Sequence, residues 1–172
     1  METAVSLIQD ANPTLGERVA IVGQGLIGVL TAAVLADSGF DVTVIDISKE
    51  RLDVSKSFSP SVQTWNPSSS ESSSINSSIK FDVCIELTGR LKGLQTAIDN
   101  TGYGGRVIVG SWFSGSEEVL RLGTIFHRSH ISIKASQVME FFSHPQKTTS
   151  VYMNLLALFI VKIGIQYSRE TF

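Results

Sequence analysis

Three glycines and one aspartate near the amino end are the residues whose types and spacing point most directly to chemistry. Gly23, Gly25 and Gly28 form a Gly-x-Gly-x-x-Gly sequence directly after an apolar run, and Asp46 follows about 20 positions later. In such a sequence the first glycine permits a sharp turn and the second lets the backbone approach a pyrophosphate. The third allows a helix to pack closely on a strand. The pattern therefore predicts a dinucleotide site.

The helix that follows the glycines is expected to take part in the same site. Its free N–H groups and positive dipole end, starting near Leu26 and Ile27, would face the phosphates. The Asp46 carboxylate would accept hydrogen bonds from the adenosine ribose, and its charge would repel a 2′-phosphate. The sequence thus favours NAD over NADP, with Lys49 and Arg51 bordering the adenine side.

Hydrophobic patterning predicts the elements that position these residues. Residues 19–22 and 42–45 are short apolar runs typical of strands that are covered on both faces. Between them, apolar residues recur at helical spacing from Leu26 to Leu35, and Gly39 suits the position just past a helix end. Ser48 is expected to cap a further helix over residues 49–58.

The later part of the chain continues the alternation. We predict strands at 81–86 and 106–110 around a helix at 90–100, with Gly102, Gly104 and Gly105 ending that helix. An outer strand is expected at Val62 to Trp65. Alternating strands and helices indicate an α/β, Rossmann-type doubly wound parallel sheet, with an order resembling 3-2-1-4-5-6.

Ligands of such sheets bind outside the carboxyl ends of the strands, at the point where the strand order reverses. The strand tips at Gly23, Asp46, Thr88 and Gly110 should therefore converge on one crevice. We expect Thr88 to contact the cofactor, and Gly110 with Ser111 to lie beside the nicotinamide.

Composition narrows the classes of function. Basic residues are scattered and the net charge is −2, so nucleic-acid binding is set aside. Cys84 is the only cysteine, which excludes an internal disulfide and a Cys-x-x-Cys metal site, and its apolar surroundings predict a buried, inert thiol. Val22 stands where a methyltransferase usually has an acidic residue, and no further FAD motif is visible.

We divide the chain into a lead-in helix (1–16), a Rossmann domain (17–140) with a serine-rich loop (66–78), and an apolar carboxyl-terminal helix or tail (141–172). Thr3 is expected to cap the first helix, which Asn12-Pro13 would end. The apolar run 151–165 is shorter than the ~20 residues that cross a bilayer. It therefore predicts a helix packed on the sheet or on a partner, with membrane association as the alternative. No signal peptide is apparent, which favours the cytoplasm.

Two further features concern metals and partners. His127 and His130 form a weak metal pattern without a third ligand, and a polar, partly exposed loop is the favoured interpretation. The strand marked by Ile131, Ile133 and Ala135 is expected at a sheet edge, where it can pair with another subunit to form a homo-oligomer.

Several of these segments together resemble the cofactor-binding half of the zinc-type alcohol dehydrogenases, in the medium-chain dehydrogenase/reductase superfamily. They are the helix at 3–7, the entry at 15–19, the turn Gly23-Gln24-Gly25-Leu26-Ile27-Gly28 with Asp46, and the later strands at 81–86 and 104–110. The similarity covers roughly residues 2 to 140.

The resemblance implies hydride transfer between an alcohol or ketone and a nicotinamide. In this family a separate amino-terminal domain holds the catalytic zinc, which acts as a Lewis acid on the alcohol oxygen. No residues of that domain are present, so we expect zinc only outside this chain, no catalytic residue here, and no turnover by the chain alone. A non-catalytic nucleotide-binding or regulatory module, or a truncated product, is the alternative.

Overall fold

The computed structural model describes residues 2–69, 79–114 and 119–137, which form one sheet with helices on both faces. The helices are α1 (Glu2–Ala11), α2 (Leu26–Asp37), α3 (Lys49–Phe58), α4 (Leu91–Asn100) and α5 (Ile125–Arg128). The strands are β1 (Arg18–Val22), β2 (Asp41–Ile45), β3 (Gln63–Trp65), β4 (Phe81–Glu86), β5 (Thr101–Val109) and β6 (Ser132–Ala135).

The six strands are all parallel and lie in the order β3-β2-β1-β4-β5-β6, which confirms the predicted Rossmann-type arrangement. Their pairing places the last residues of all six strands in one row across the sheet: Trp65, Ile45, Val22, Glu86, Val109 and Ala135. The loops that follow therefore leave the sheet along the same edge. The strand order reverses between β1 and β4, where a ligand crevice is expected.

Apolar side chains cover both faces of the sheet. One cluster packs β-strand residues against α1, α2 and α3, and includes Leu7, Leu35 and Leu52. The other packs the opposite face against α4 and includes Leu94 and Ile98. Burial on both faces explains why the predicted central strands are continuous apolar runs rather than alternating ones.

Local sequence signals set the ends of several elements as predicted. The Ser48 hydroxyl accepts a hydrogen bond from the N–H of Arg51 and caps α3. Gly39 has a φ of +87° just after α2, a conformation that glycine adopts without steric cost. Helix α1 ends at Ala11, immediately before Asn12 and Pro13.

Two predicted boundaries are wrong. Helix α1 begins at Glu2, so Thr3 lies within the helix rather than capping it. Strand β5 begins at Thr101, directly after α4, and contains the glycines that were expected only to end that helix. A Cβ at Gly105 would lie 2.9 Å from the carbonyl oxygen of Asp82. The glycines thus let β5 approach β4 closely, where the register of the two strands shifts.

The segment around the histidines also differs in part from the prediction. His127 lies in the short helix α5 rather than in a loop, whereas both His127 and His130 are exposed as expected. Strand β6 lies at the edge of the sheet, where Ile131 is buried and Ile133 is 38% exposed. Most of the serine-rich loop and the apolar run 151–165 lie outside the described residues.

Within the described residues, no helix is both long enough and apolar enough to cross a bilayer. The cytoplasmic location remains a prediction.

Candidate cofactor-binding site

A cleft of about 260 Å³ lies at the carboxyl ends of β1, β2 and β4. Gly23, Gly25, Asp46, Arg51 and Thr88 line it, so five of the residues that the sequence predicted for the cofactor meet in one place. The other lining residues are Val22, Ile45, Ile47, Pro67, Leu87, Arg90, Lys92, Gly93 and Thr96. This is the position at which the strand order reverses.

Packing requires two of the three glycines of the turn. A Cβ at Gly28 would lie only 2.1 Å from the carbonyl oxygen of Gly23, and one at Gly23 would lie 2.8 Å from the backbone of Leu87. Gly23 also has a φ of +101°, which disfavours any other residue. Gly25 differs, because a Cβ there would meet no atom within 4 Å. Packing within the protein therefore explains Gly23 and Gly28 but leaves Gly25 unexplained.

Gly25 is also the N-cap of α2, and no side chain caps this helix end by a hydrogen bond. The first N–H groups of a helix have no partner within the helix, so a bare end offers donors and a positive dipole to an anion. Leu26, in the first turn, is 76% exposed. Leu26, Ile27 and Gly28 are the first three residues of α2 and do not line the cleft. Their expected contribution to the site is the backbone N–H groups of this first turn.

The Asp46 carboxylate lies beside the glycine turn and is held there by two backbone donors. The N–H of Gln24 donates to Oδ2 at 2.7 Å, and the N–H of Ser48 donates to Oδ1 at 2.9 Å. The Arg51 guanidinium is 3.8 Å from Oδ2, with its side chain 62% exposed. The carboxylate is 6% exposed and forms part of the cleft wall, so its orientation is set before any ligand arrives.

On the β4 side of the cleft, the hydroxyl of Thr88 points away from the glycine turn. It donates to Oε1 of Glu86 at 2.5 Å and accepts the N–H of Arg90 at 3.1 Å. Glu86 is fully buried, and its Oε2 atom has no hydrogen-bond partner. The methyl group of Thr88 faces Gly23, where a Cβ would lie 2.9 Å from it. The methyl group of Thr88 thus faces the glycine turn, and its hydroxyl is bonded to Glu86 and Arg90.

Gly110 and Ser111 are not brought to the cleft. The N–H of Gly110 donates to the Glu86 carbonyl at 3.0 Å, and a Cβ on Gly110 would lie 2.5 Å from Leu7 of α1. Ser111 accepts the N–H of Gly89 through its hydroxyl at 2.9 Å. Both residues lie beside the β4 tip, and their predicted place beside the nicotinamide stays a prediction.

Sequence reasoning missed the wall of the cleft that α4 provides. Arg90, the N-cap of α4, begins this wall, and Lys92 and Thr96 extend it one helical turn apart. The i, i+4 spacing of Lys92 and Thr96 indicates a shared helix face, but only the packing of α4 shows that this face borders the cleft. Ile47 was also missed, although it directly follows Asp46 and is 72% exposed.

No group of three or more histidine, cysteine or acidic side chains that could hold a metal ion occurs within residues 2–69, 79–114 and 119–137. The described residues therefore do not fit a catalytic zinc site, which needs three protein ligands and an open position. Cys84 is buried in β4, and its burial raises the pKa of the thiol to about 12, which disfavours the thiolate that a metal binds.

Comparisons with known proteins agree with this geometry. The family described as zinc-binding dehydrogenase matches residues 27–157, more than half of the chain. An L-threonine 3-dehydrogenase of Saccharopolyspora erythraea is 30% identical over 100 residues, which are 55% of this chain and 29% of that protein. The chain thus spans less than a third of this relative's length.

Two solved structures share the fold. A protein described as a short chain alcohol dehydrogenase of Escherichia coli CFT073, in complex with NADH, has a TM-score of 0.66 and 24% identity, over 80% of this chain and 41% of that one. A putative zinc-binding dehydrogenase of Sinorhizobium meliloti 1021 bound to NADP also has a TM-score of 0.66, with 18% identity over 78% of this chain and 41% of that one. Fold, glycine turn and family match together define a dehydrogenase cofactor domain. The chain belongs to the zinc-binding dehydrogenase family.

Proposed function

We propose that this chain is the NAD(H)-binding domain of an alcohol dehydrogenase-like oxidoreductase, which transfers hydride between an alcohol or ketone and the nicotinamide. The observation that carries the proposal is the Asp46 carboxylate in the cleft wall, beside a glycine turn and a bare helix end. An anion-binding helix end and a ribose-binding carboxylate are the two polar features that recognise an adenine dinucleotide.

The pyrophosphate is expected at the first turn of α2. Gly25 has open space where a Cβ would stand, so the backbone there is accessible to a bulky anion. The uncapped N–H groups supply hydrogen bonds, and the helix dipole favours negative charge.

The adenosine ribose is expected at Asp46. Each carboxylate oxygen already accepts one backbone N–H, and each has a further lone pair that can accept a ribose hydroxyl. A 2′-phosphate at that position would meet the negative charge of the carboxylate at short range. The Arg51 guanidinium, 3.8 Å from Oδ2, favours NADP(H), and the buried carboxylate outweighs this exposed cation. The two solved structures bind NADH and NADP respectively, so the fold alone does not set the preference, and Asp46 is the feature that favours NAD(H).

Titration of the purified chain with NADH, followed by NADH fluorescence and by tryptophan quenching, tests the proposal. Trp65 packs in the cluster beside Val22 and Ile45, which line the cleft, and so lies near enough to report binding. We expect saturable binding of NADH that is tighter than that of NADPH. A folded chain without affinity for either cofactor would refute the assignment.

The variant Asp46→Asn tests the carboxylate itself. Asparagine is expected to weaken NADH binding about tenfold and to reduce the preference over NADPH, because a negative acceptor is lost. Asp82→Asn is the matched control, since the Asp82 carboxylate also accepts a backbone N–H, from Arg18 at 2.8 Å, but lies outside the cleft lining. Equal cofactor affinities in the two variants would contradict the role of Asp46.

We further propose that this chain by itself turns over no alcohol, because the described residues do not fit the zinc site of the family. A dehydrogenase assay with and without added zinc separates this proposal from independent catalysis. The second candidate is a non-catalytic nucleotide-binding module. Alcohol oxidation on addition of a zinc-bearing domain would favour the oxidoreductase, whereas NADH binding without any such activity would favour the module.

We also propose that the chain forms a homo-oligomer through β6. This strand pairs with β5 on one side, and in the described part of the chain no strand pairs with its other side. An unpaired parallel edge that carries Ile133 offers backbone donors, acceptors and apolar surface to a second copy. Sedimentation analysis should give more than one copy per particle, and Ile133→Lys should lower that number.

A further inference from the structure

Gln24, the residue between the first two glycines of the turn, is 2% exposed although its side chain is polar. Its amide nitrogen donates to the carbonyl of Ile21 at 3.2 Å and to that of Gly23 at 3.1 Å. Its amide oxygen accepts the hydroxyl of Ser55, from α3, at 2.9 Å, and the same hydroxyl lies 3.0 Å from the carbonyl oxygen of Arg51 within α3. The side chain therefore points into the protein and ties the glycine turn to a helix that lies 31 residues further along the chain.

The backbone of Gln24 is tied to the site at the same time, because its N–H donates to Oδ2 of Asp46 at 2.7 Å. Asp46 in turn accepts the N–H of Ser48, which caps α3, the helix that carries Ser55. The contacts close a ring that runs from Gln24 to Asp46, through Ser48 and α3 to Ser55, and back to Gln24. Every member of this ring except Ser48 is buried.

We propose that Ser55 and Gln24 are positioning residues, whose hydrogen bond sets the direction in which the Asp46 carboxylate faces the cofactor. The inference rests on the proposed binding of an adenine dinucleotide at Asp46 and names what determines the specificity of that site. The Ser55 hydroxyl fixes the Gln24 amide, the amide fixes the peptide that carries the Gln24 N–H, and this N–H holds Oδ2. The remaining lone pairs of the carboxylate then point towards the cleft.

The burial of these groups makes the contact consequential. Gln24 and Ser55 are 2% and 1% exposed, so water does not readily replace a lost partner. A buried amide oxygen left without a donor is costly, and the turn is expected to rotate so that the amide finds another partner. Such a rotation would carry the Gln24 N–H away from Asp46, and the carboxylate would follow or lose its donor.

The preference for NADH over NADPH, rather than stability, shows whether Ser55 positions Asp46 or only packs in the core. We expect Ser55→Ala to weaken NADH binding by about 3- to 10-fold. We also expect it to narrow the ratio of NADPH to NADH dissociation constants, because misdirected carboxylate oxygens bind the ribose and repel a 2′-phosphate less well. Titrations are made well below the melting temperature of each variant, so that partial unfolding does not contribute.

Ser59→Ala is the matched control. Ser59 follows α3, is 2% exposed, and its hydroxyl has no hydrogen-bond partner, so the substitution removes a buried hydroxyl without breaking the ring. The ratio of NADPH to NADH dissociation constants of Ser59→Ala should equal that of the wild type. If Ser55→Ala does not fold, Gln24→Met, which keeps the side-chain length and removes its hydrogen bonds, takes its place with the same expected narrowing.

A double-mutant cycle with Asp46→Asn completes the test. If Ser55 acts through Asp46, Ser55→Ala changes the cofactor ratio in the wild type but not in the Asp46→Asn background. An unchanged ratio in Ser55→Ala, or effects of the two substitutions that simply add, would overturn the inference while NADH binding by the wild type still supported the proposed function. Absence of NADH binding by the folded wild type would instead overturn the proposed function.

Discussion

The guanidinium of Arg106 forms a bidentate ion pair with the carboxylate of Glu17, 89 residues earlier in the chain. Its Nη1 atom lies 2.9 Å from Oε1, and its Nη2 atom lies 2.7 Å from Oε2. The same guanidinium donates to the carbonyls of Ala11 at 2.6 Å and Asn12 at 2.9 Å, at the carboxyl end of α1. Arg106 thereby joins the lead-in helix, the entry to β1 and the strand β5.

This ion pair predicts a dependence of stability on acid. The hydrogen bonds from Arg106 lower the pKa of Glu17 from its ordinary value of 4.5 to about 2, with help from the N–H of Thr14. A carboxyl group with a lowered pKa in the folded state stabilises the fold fully above its unfolded pKa. We therefore expect this contribution to be lost progressively as the pH falls from about 4.5 to about 2.

Urea unfolding of the wild type and of Glu17→Gln measures this contribution. At pH 7 the variant is expected to be less stable by about 1–2 kcal/mol, because a charge-assisted pair is replaced by a neutral one. The difference between the two proteins should shrink towards pH 2, since the wild-type carboxyl is then protonated. Asp53→Asn is the control, because Asp53 is an exposed acidic residue of α3 and lies away from Arg106. A difference that stays constant with pH would contradict the ion-pair account.

The thiol of Cys84 is predicted to be unreactive in the folded protein. Burial raises its pKa to about 12, and the thiolate is the reactive form. A thiol reagent at pH 8 should therefore modify Cys84 only as fast as the sheet opens, and rapidly once urea is added. Modification in native buffer at the rate of a free thiol would mean that β4 is not covered by α4.

Most of the sheet could be predicted from sequence because its signals are local. The apolar runs that form β1, β2 and β4 are covered on both faces. Ser48 caps the start of α3 and Gly39 follows the end of α2, and both act through local backbone geometry. The start of β5 could not be predicted in this way. Its glycines suggest a break, whereas the structure uses Gly105 for a close approach to the carbonyl of Asp82, a contact between strands.

The candidate site likewise contains residues that local sequence predicts and residues that only tertiary packing brings to the cleft. The glycine turn and Asp46 lie within one strand-helix-strand unit, so their spacing along the chain is enough to bring them together. Arg90, Lys92 and Thr96 reach the cleft only through the packing of α4, which no local pattern specifies. Gly110 packs against Leu7 of α1, a long-range contact that no local pattern specifies, and its place beside the nicotinamide stays a prediction.

Gly25→Ala is predicted to separate cofactor binding from folding. The φ of −78° and ψ of −172° at Gly25 are open to alanine, and its Cβ would meet no protein atom within 4 Å. We expect a change in unfolding free energy of less than about 1 kcal/mol, since a lost N-cap glycine is offset by reduced chain entropy. NADH binding should weaken at least about tenfold, because the methyl group occupies the space through which the pyrophosphate approaches.

Gly123→Ala serves as the control for Gly25→Ala. Gly123 also has open space around a Cβ, has no positive φ, and lies outside the cleft lining. Its substitution should leave both stability and NADH affinity unchanged. If Gly25→Ala bound NADH as well as Gly123→Ala does, the pyrophosphate could not lie at this turn.

Gly93→Ala is predicted to destabilise the protein, although alanine is the better helix former by about 1 kcal/mol. Gly93 lies in the first turns of α4, where a Cβ would lie 2.0 Å from the Thr88 hydroxyl oxygen and 2.9 Å from the Thr88 Cβ. Overpacking of this kind costs typically about 1–3 kcal/mol, so the contact outweighs the propensity and the melting temperature should fall.

The cause of the lower stability of Gly93→Ala can be tested with Thr88→Ala. This second substitution removes the hydroxyl and methyl groups that the new Cβ would meet. The penalty of Gly93→Ala should be smaller in the Thr88→Ala background than in the wild type, and the two substitutions should therefore couple. NADH affinity gives a second reading, because Gly93 and Thr88 both line the cleft. A helix displaced by the added methyl group would alter the α4 wall and weaken binding, whereas a rise in melting temperature would show that α4 does not pack on Thr88.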